Sequence, residues 1–302
     1  MKRVLTAVVL IPLVLLAVFR APDWFFAGLV GCVAILALTE YLQIIAAYQY
    51  TTFRLTTYAV TALIYASLLL FLVGQTMTSV LTFLVVSVVV LIVAPSVYLL
   101  VGMTEPDLRK VLPGAAMSFF GVPYVGLSLA TLGFMRNMPE GWFPVLFTFF
   151  CVWVGDTAAY YVGRSMGRHK LAARVSPKKT WEGGIASVLG AVLVAVLFTY
   201  AAPHIQQWLY AHGVLPAAGG DYAVLTRPRL AIIVVFAVLI NVAAQLGDLF
   251  ESLIKRGAGV KDSGTMLPGH GGILDRIDAL LFASPVAAIL FGWAGDKFLS
   301  FL

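Results

Sequence analysis

Charge is what this chain has least of. Asp, Glu, Lys and Arg make up 11% of its 302 residues, against 61% hydrophobic, where soluble domains carry roughly 25% charged and 45 to 50% apolar residues. Such a balance excludes an ordinary water-soluble domain. Cysteine is almost missing as well: Cys32 and Cys151 both fall in apolar runs, which leaves no disulfide or zinc framework and reads as two buried, inert thiols. Internal repeats and low-complexity linkers are absent too. The apolar runs do not alternate in polarity as barrel strands would, so helices, which satisfy their own backbone, are the spanning element.

Nine runs approach the length needed to cross about 30 Å of hydrocarbon; they lie near 4–19, 24–48, 56–73, 77–101, 114–133, 142–162, 183–200, 230–256 and 273–294. The predicted fold class is all-α: a polytopic transmembrane helix bundle of about nine spans with a cytoplasmic N-terminus. One integral membrane domain covers 1–302, with 1–140 as hydrophobic scaffold and 141–302 carrying the catalytic spans and cytoplasmic loops. The first run follows Lys2 and Arg3 like a signal peptide but ends without a small-residue cleavage site, so it is expected to be retained. In this topology fifteen of the twenty Lys and Arg residues fall inside and five outside, the sense of the positive-inside rule. The expected location is the cell's inner membrane, with the active site on its cytoplasmic side. A net charge of +6 suits anionic headgroups and equally a phosphorylated substrate. The outer connection from His204 to Arg229 reads as a plain loop. Glu40, inside the second run, is expected near the headgroups, because Gln43 and Tyr41, Tyr48 and Tyr50 resemble an interface belt; a buried functional carboxylate is the alternative.

The scarce charges are concentrated. Counting Glu251, nine ionisable groups reach from there to Asp278: Lys255, Arg256, Lys261, Asp262, His270, Asp275, Arg276 and Asp278 are the others. Charge beside hydrocarbon is costly unless paired, hydrated or bound to metal, so the cluster marks a functional site. In the eighth run Asn241, Gln245, Asp248, Ser252 and Lys255 recur at spacings of four, three, four and three, one stripe on one helix face. A polar seam gluing helices together would give the same stripe. Asp275 and Asp278, three apart, share a face of the ninth helix. If that helix lies beside the eighth, three carboxylates converge, and oxygen-only ligation suits a hard divalent ion such as Mg2+. Ordinary salt bridges to Lys255, Arg256 or Arg276 are the alternative. Between the carboxylates, Gly269, His270, Gly271 and Gly272 let a backbone approach an anion at a helix N-terminus. On the other charged connection, Ser176, Lys178, Lys179 and Thr180 form a basic, hydroxyl-bearing segment able to hold a triphosphate, with Asp156 and Tyr160 upstream.

In order, Ser252, Lys255, Arg256, Lys261, Asp262, His270, Gly271, Gly272, Asp275, Arg276 and Asp278 resemble the signature of the integral-membrane phosphatidate cytidylyltransferases, of the bacterial type. GDLFES from Gly247 and SPKKTWEG from Ser176 are family-like as well. The likeness covers 150 to 280 well and the first half only as hydrophobic spans. It implies transfer of a cytidylyl group from CTP to phosphatidate, giving CDP-diacylglycerol and pyrophosphate, with Mg2+ held by Asp248, Asp275 and Asp278. Lys255, Arg256, Lys261 and Arg276 would neutralise phosphates, and Ser176, Lys179 and Thr180 would engage CTP or the lipid phosphate. CTP, phosphatidate and membrane lipids are thus the expected partners, and nucleic acid is not. A second, monovalent cation and a homodimer stay open. Two rivals remain: a membrane enzyme using CTP on a prenol or another lipid alcohol, and a secondary transporter of an anionic metabolite, whose charges would gather at the bilayer midplane. The Asp-Gly-x-x-Ala-Arg core of CDP-alcohol phosphotransferases is absent.

Overall fold

The computed structural model describes residues 2–215, 224–225, 228–266 and 271–300. Among them, eight helical segments are long and apolar enough to cross a membrane, and the first helix, α1 (Lys2–Arg20), stands where the ninth was expected. The others are α2 (Asp23–Ala47), α3 (Arg54–Gly74), α4 (Met77–Gly102), a composite segment Leu108–Arg136, α7 (Trp142–Ser165), α8 (Trp181–Ala211), α9 (Leu230–Gly257) and α10 (Leu274–Ala294). The protein is a polytopic helical bundle. Within the composite segment, α5 (Val111–Gly121) and α6 (Ser128–Arg136) flank one π turn, Val122–Leu127. Pro123 lies in it: proline has no N–H to give the previous turn, and its own carbonyl accepts the Ser128 hydroxyl at 3.0 Å.

Two expectations need correcting here. The stretch from His204 is not a plain loop, because α8 continues through Ala211, about 46 Å of helix at 1.5 Å per residue. Pro203 costs one backbone bond without ending it, and Gln206, buried, accepts the Leu225 N–H at 3.0 Å. The Ser176 connection is not wholly irregular either. It holds an antiparallel ribbon, β1 (Lys170–Ala172) and β2 (Ser176–Thr180). A second short ribbon pairs β3 (Val224–Leu225) with β4 (Leu299–Ser300).

The chain gathers into two compact units. One comprises α2 to α5, the π turn, α9 from Glu251 and α10 as far as Ile277. Phe53, Ala94, Tyr98, Val111 and Ala115 form a core in it, and the Tyr98 hydroxyl donates to Thr57 at 2.9 Å. The other comprises α7, the β1–β2 ribbon, α8, α9 as far as Phe250 and α10 from Asp278. Its core is aromatic: Phe143 stacks on Phe198 at 5.3 Å, and Phe291 meets Phe236 at 5.1 Å.

In this second unit the polar stripe of α9 divides its labour. Asn241 donates to the Cys151 carbonyl at 3.0 Å and to Ser187 at 3.1 Å, and Gln245 donates to Asn241 at 2.8 Å and to the Gly184 carbonyl at 3.2 Å. That half of the stripe glues α9 to α7 and α8. Gly155 makes the approach possible, since a Cβ there would collide with the Asn241 amide and lie 2.9 Å from Ser187 Oγ. Gly155→Ala is therefore expected to destabilise the unit by about 1 to 3 kcal/mol, the usual range for overpacking, read as a lower melting temperature in a fixed detergent.

Candidate active site

The β1–β2 ribbon is built from a tight reversal, in which the Val175 N–H donates to the Ala172 carbonyl at 3.1 Å, and from the Trp181 N–H reaching the His169 carbonyl at 3.0 Å. Thr180 ends β2 and caps α8, its hydroxyl accepting the Gly183 N–H at 3.2 Å, which satisfies one of the unpaired amides of a helix start. Glu182 in the first turn accepts the His169 N–H at 3.2 Å and lies 2.6 Å from the His169 ring. The ribbon is thereby fixed to the helix it precedes, and Lys179 is delivered to α9, its ammonium 2.5 Å from Asp248 Oδ2.

Around this pair lies a cavity of ≈ 690 Å³, the size of a small-molecule site. Asp156, Tyr160 and Arg164 enter it from α7, Lys170, Lys178 and Lys179 from the ribbon, and Gln245 and Asp248 from α9. Four cations thus face two carboxylates. A polyanion would be drawn into such a cleft, and the two carboxylates leave room for a cation that accompanies it. The Arg164 guanidinium is oriented by the Tyr160 hydroxyl at 3.0 Å. Ser176, expected to engage a phosphate, is half-buried on β2 and is not among the cavity-lining residues, whereas Thr180 lines it with its hydroxyl already capping α8. Arg164, Lys170 and Asp156 join Lys179 at this cavity, and the ribbon, invisible to periodicity over so few residues, is what brings Lys170 beside it.

A second constellation lies wholly in the other unit. Lys255, 8% exposed, holds its ammonium 2.5 Å from Glu251 Oε2 and 2.5 Å from Asp275 Oδ1. Asp275 also accepts the Ser263 and Gly272 N–H groups, each at 2.9 Å. Lys255 is therefore engaged by carboxylates on both sides, where a phosphate-neutralising role had been expected. Glu251 was counted in the charged cluster from sequence but given no role, although its four-residue spacing to Lys255 on one helix face was the available signal.

Glu40 follows the alternative of a buried carboxylate and not the favoured interfacial one: it is 2% exposed. It accepts the Ser263 hydroxyl at 2.9 Å, the Ile273 N–H at 3.0 Å and the Leu274 N–H at 2.8 Å. Gly271 has a φ of +80°, a conformation that favours glycine, and a Cβ on it would lie 2.7 Å from Asp275 Oδ2. His270 lies outside the described residues. Arg256 is exposed and donates to the Val260 carbonyl at 3.2 Å; Lys261 and Arg276 are exposed and Ser252 half-buried.

Of the three expected metal ligands, Asp248 and Asp278 belong to one unit and Asp275 to the other. Gly247 lets α9 touch α10 beside the first two, since a Cβ on it would lie 2.6 Å from the Asp278 carbonyl oxygen. Among the described residues no group of three or more His, Cys, Asp or Glu side chains is arranged to hold a metal. A hard cation such as Mg2+ does not need one: it takes one or two carboxylates and completes its shell with water and substrate phosphates. Asp248 and Asp278, within one unit, are oxygen donors of the kind such an ion takes.

Comparison with known proteins follows the same lines. The stretch from 1 to 293 matches the model of the Cytidylyltransferase family. A phosphatidate cytidylyltransferase of Staphylococcus epidermidis is 38% identical over 177 residues, 58% of this chain and 58% of that protein. One from Brucella suis is 41% identical over 176 residues, 57% of this chain and 54% of that protein, so the chain spans little more than half the length of these relatives. With a family match running over nearly all of its length, the chain belongs to the cytidylyltransferase family.

Proposed function

We infer that the protein transfers the cytidylyl group of CTP to phosphatidate, giving CDP-diacylglycerol and pyrophosphate. The observation that carries this reading is the cavity at the Lys179–Asp248 pair, where four cations and two carboxylates meet, in a chain of this family with relatives named for that reaction. A phosphatidate phosphate oxygen attacks the α phosphorus of CTP, a new P–O bond forms, and the α–β anhydride bond breaks to release pyrophosphate. The attacking oxygen is already anionic, so no strong base is needed, and positioning and charge neutralisation carry the rate. Arg164, Lys170, Lys178 and Lys179 hold the triphosphate, and Asp248, Asp275 and Asp278 are the oxygen donors assigned to Mg2+. When bound, such an ion would supply charge neutralisation of the phosphates held there. The fifteen-to-five division of cations supports a cytoplasmic N-terminus and an active site facing the cytoplasm of the inner membrane.

Purified protein in detergent is expected to release pyrophosphate only when CTP, phosphatidate and Mg2+ are all supplied. Release without phosphatidate, or without a divalent ion, overturns the reading. Replacing phosphatidate by a prenol or diacylglycerol separates it from a CTP-dependent enzyme acting on lipid alcohols, and only the phosphate-bearing acceptor should give product.

A further inference from the structure

We propose that Glu40 of α2 is a positioning residue for this transfer: its buried carboxylate fixes the start of α10 and Ser263, and through them the carboxylate of Asp275. The proposal rests on the reading that Asp275 serves the reaction.

Two of the three donors to Glu40 are the Ile273 and Leu274 amides, at the helix end where N–H groups lack partners of their own and a negative charge is favoured. An ordinary cap would come from a Ser, Thr, Asp or Asn just before the helix. Here it comes from another helix, 233 residues away in sequence, so the cap also ties the 258–273 connection to α2. Ser263 completes the tie. Its hydroxyl donates to Glu40 at 2.9 Å and accepts the Asp275 N–H at 3.3 Å, while its own N–H donates to Asp275 Oδ2 at 2.9 Å. One residue, Ser263, therefore separates Glu40 from Asp275 along the side-chain link. The surroundings are cut to the carboxylate: a Cβ on Gly264 would lie 2.6 Å from Glu40 Oε1, and one on Gly272 would collide with Glu40 Oε2 and Ser263 Oγ. Burying a charge so completely is unfavourable unless it is hydrogen-bonded throughout. Its three donors meet that condition, and because the hydroxyl that donates to Glu40 also accepts the Asp275 N–H, the same buried charge holds Asp275 against a fixed frame.

The test uses the full chain in detergent with Glu40→Gln, Glu40→Ala and Ser263→Ala. Each is followed by steady-state kinetics, by melting temperature and by hydrogen exchange of peptides covering 258–278. Glu40→Ala should lower kcat about 10- to 100-fold, the range for losing a partner that orients a catalytic ligand, with the KM for CTP little changed. Glu40→Gln should fall between it and wild type, since its amide oxygen still accepts while its NH2 faces an N–H. Exchange should accelerate at 271–278 and not in α3 or α4. If Glu40→Ala does not fold, the Gln and Ser263→Ala variants decide by the same measures. Folded variants with wild-type kcat and unchanged exchange overturn the proposal. A wild-type protein that makes no CDP-diacylglycerol overturns the reaction reading instead, and exchange, which needs no substrate, still decides whether Glu40 orders Asp275.

Discussion

Asp248→Asn is expected to lower kcat for pyrophosphate release by about 10²- to 10³-fold, the scale for losing one preorganised electrostatic group, while leaving the melting temperature nearly unchanged. Asn keeps the shape of the side chain and removes only its charge. Its partner in this structure is the Lys179 ammonium at 2.5 Å, with about a quarter to a third of each side chain exposed (25% and 36%). Pairs so hydrated contribute about 0 to 1 kcal/mol, so the fold should hardly register the change. A rival view is that Asp248 merely anchors the β1–β2 ribbon through Lys179. The two views part in the double variant. If anchoring is the whole role, Lys179→Met should reproduce the Asp248→Asn defect, and the pair together should be no worse than either. If Asp248 acts on the metal and the phosphates, Lys179→Met should chiefly raise the KM for CTP, and the kcat loss of Asp248→Asn should persist beside it. Retention of more than half of the wild-type kcat by Asp248→Asn would remove the carboxylate from the mechanism.

The spans were readable because a helix in hydrocarbon must be long, apolar and self-bonded, a constraint that leaves its mark on composition alone. The edges were less readable: α8 runs past Pro203 because one lost bond does not end a helix whose next turns still pack Gln206 and Leu209. The polar stripe of α9 was legible as a stripe, yet nothing in its spacing told that Asn241 and Gln245 would glue helices while Asp248 would face a cavity. That depends on Gly155 and Gly184 of other helices. Glu40 shows the limit most plainly. Its local context of Gln43 and tyrosines looks interfacial, and the partners that justify its burial, Ser263, Ile273 and Leu274, lie more than 220 residues away. Local reading prices a lone carboxylate as hydrated; only the fold supplies the three donors that make burial acceptable.

Lys255→Met should produce the largest loss of stability of any single substitution considered, about 3 to 5 kcal/mol, the range for breaking a buried ion pair from one side. Lys255 places one ammonium 2.5 Å from two carboxylates, Glu251 and Asp275. Glu251 is 1% exposed and its partner is the Lys255 ammonium, so the lysine charge is what compensates it. Methionine fills the volume and deletes the charge, leaving two carboxyl groups side by side out of water with no cation between them. Asp275 retains the Ser263 and Gly272 amides; Glu251 retains nothing comparable. The second substitution to make is therefore Glu251→Gln. Alone it should cost little, because Lys255 and Asp275 remain as a balanced pair. Combined with Lys255→Met it should restore half or more of the lost stability, a coupling that two independent sites would not show. Melting temperatures of the four proteins in one detergent measure it. If Lys255→Met melts with the wild type, or if Glu251→Gln adds to its loss, the lysine is not the charge that holds these two carboxylates together, and its role must lie with the substrate.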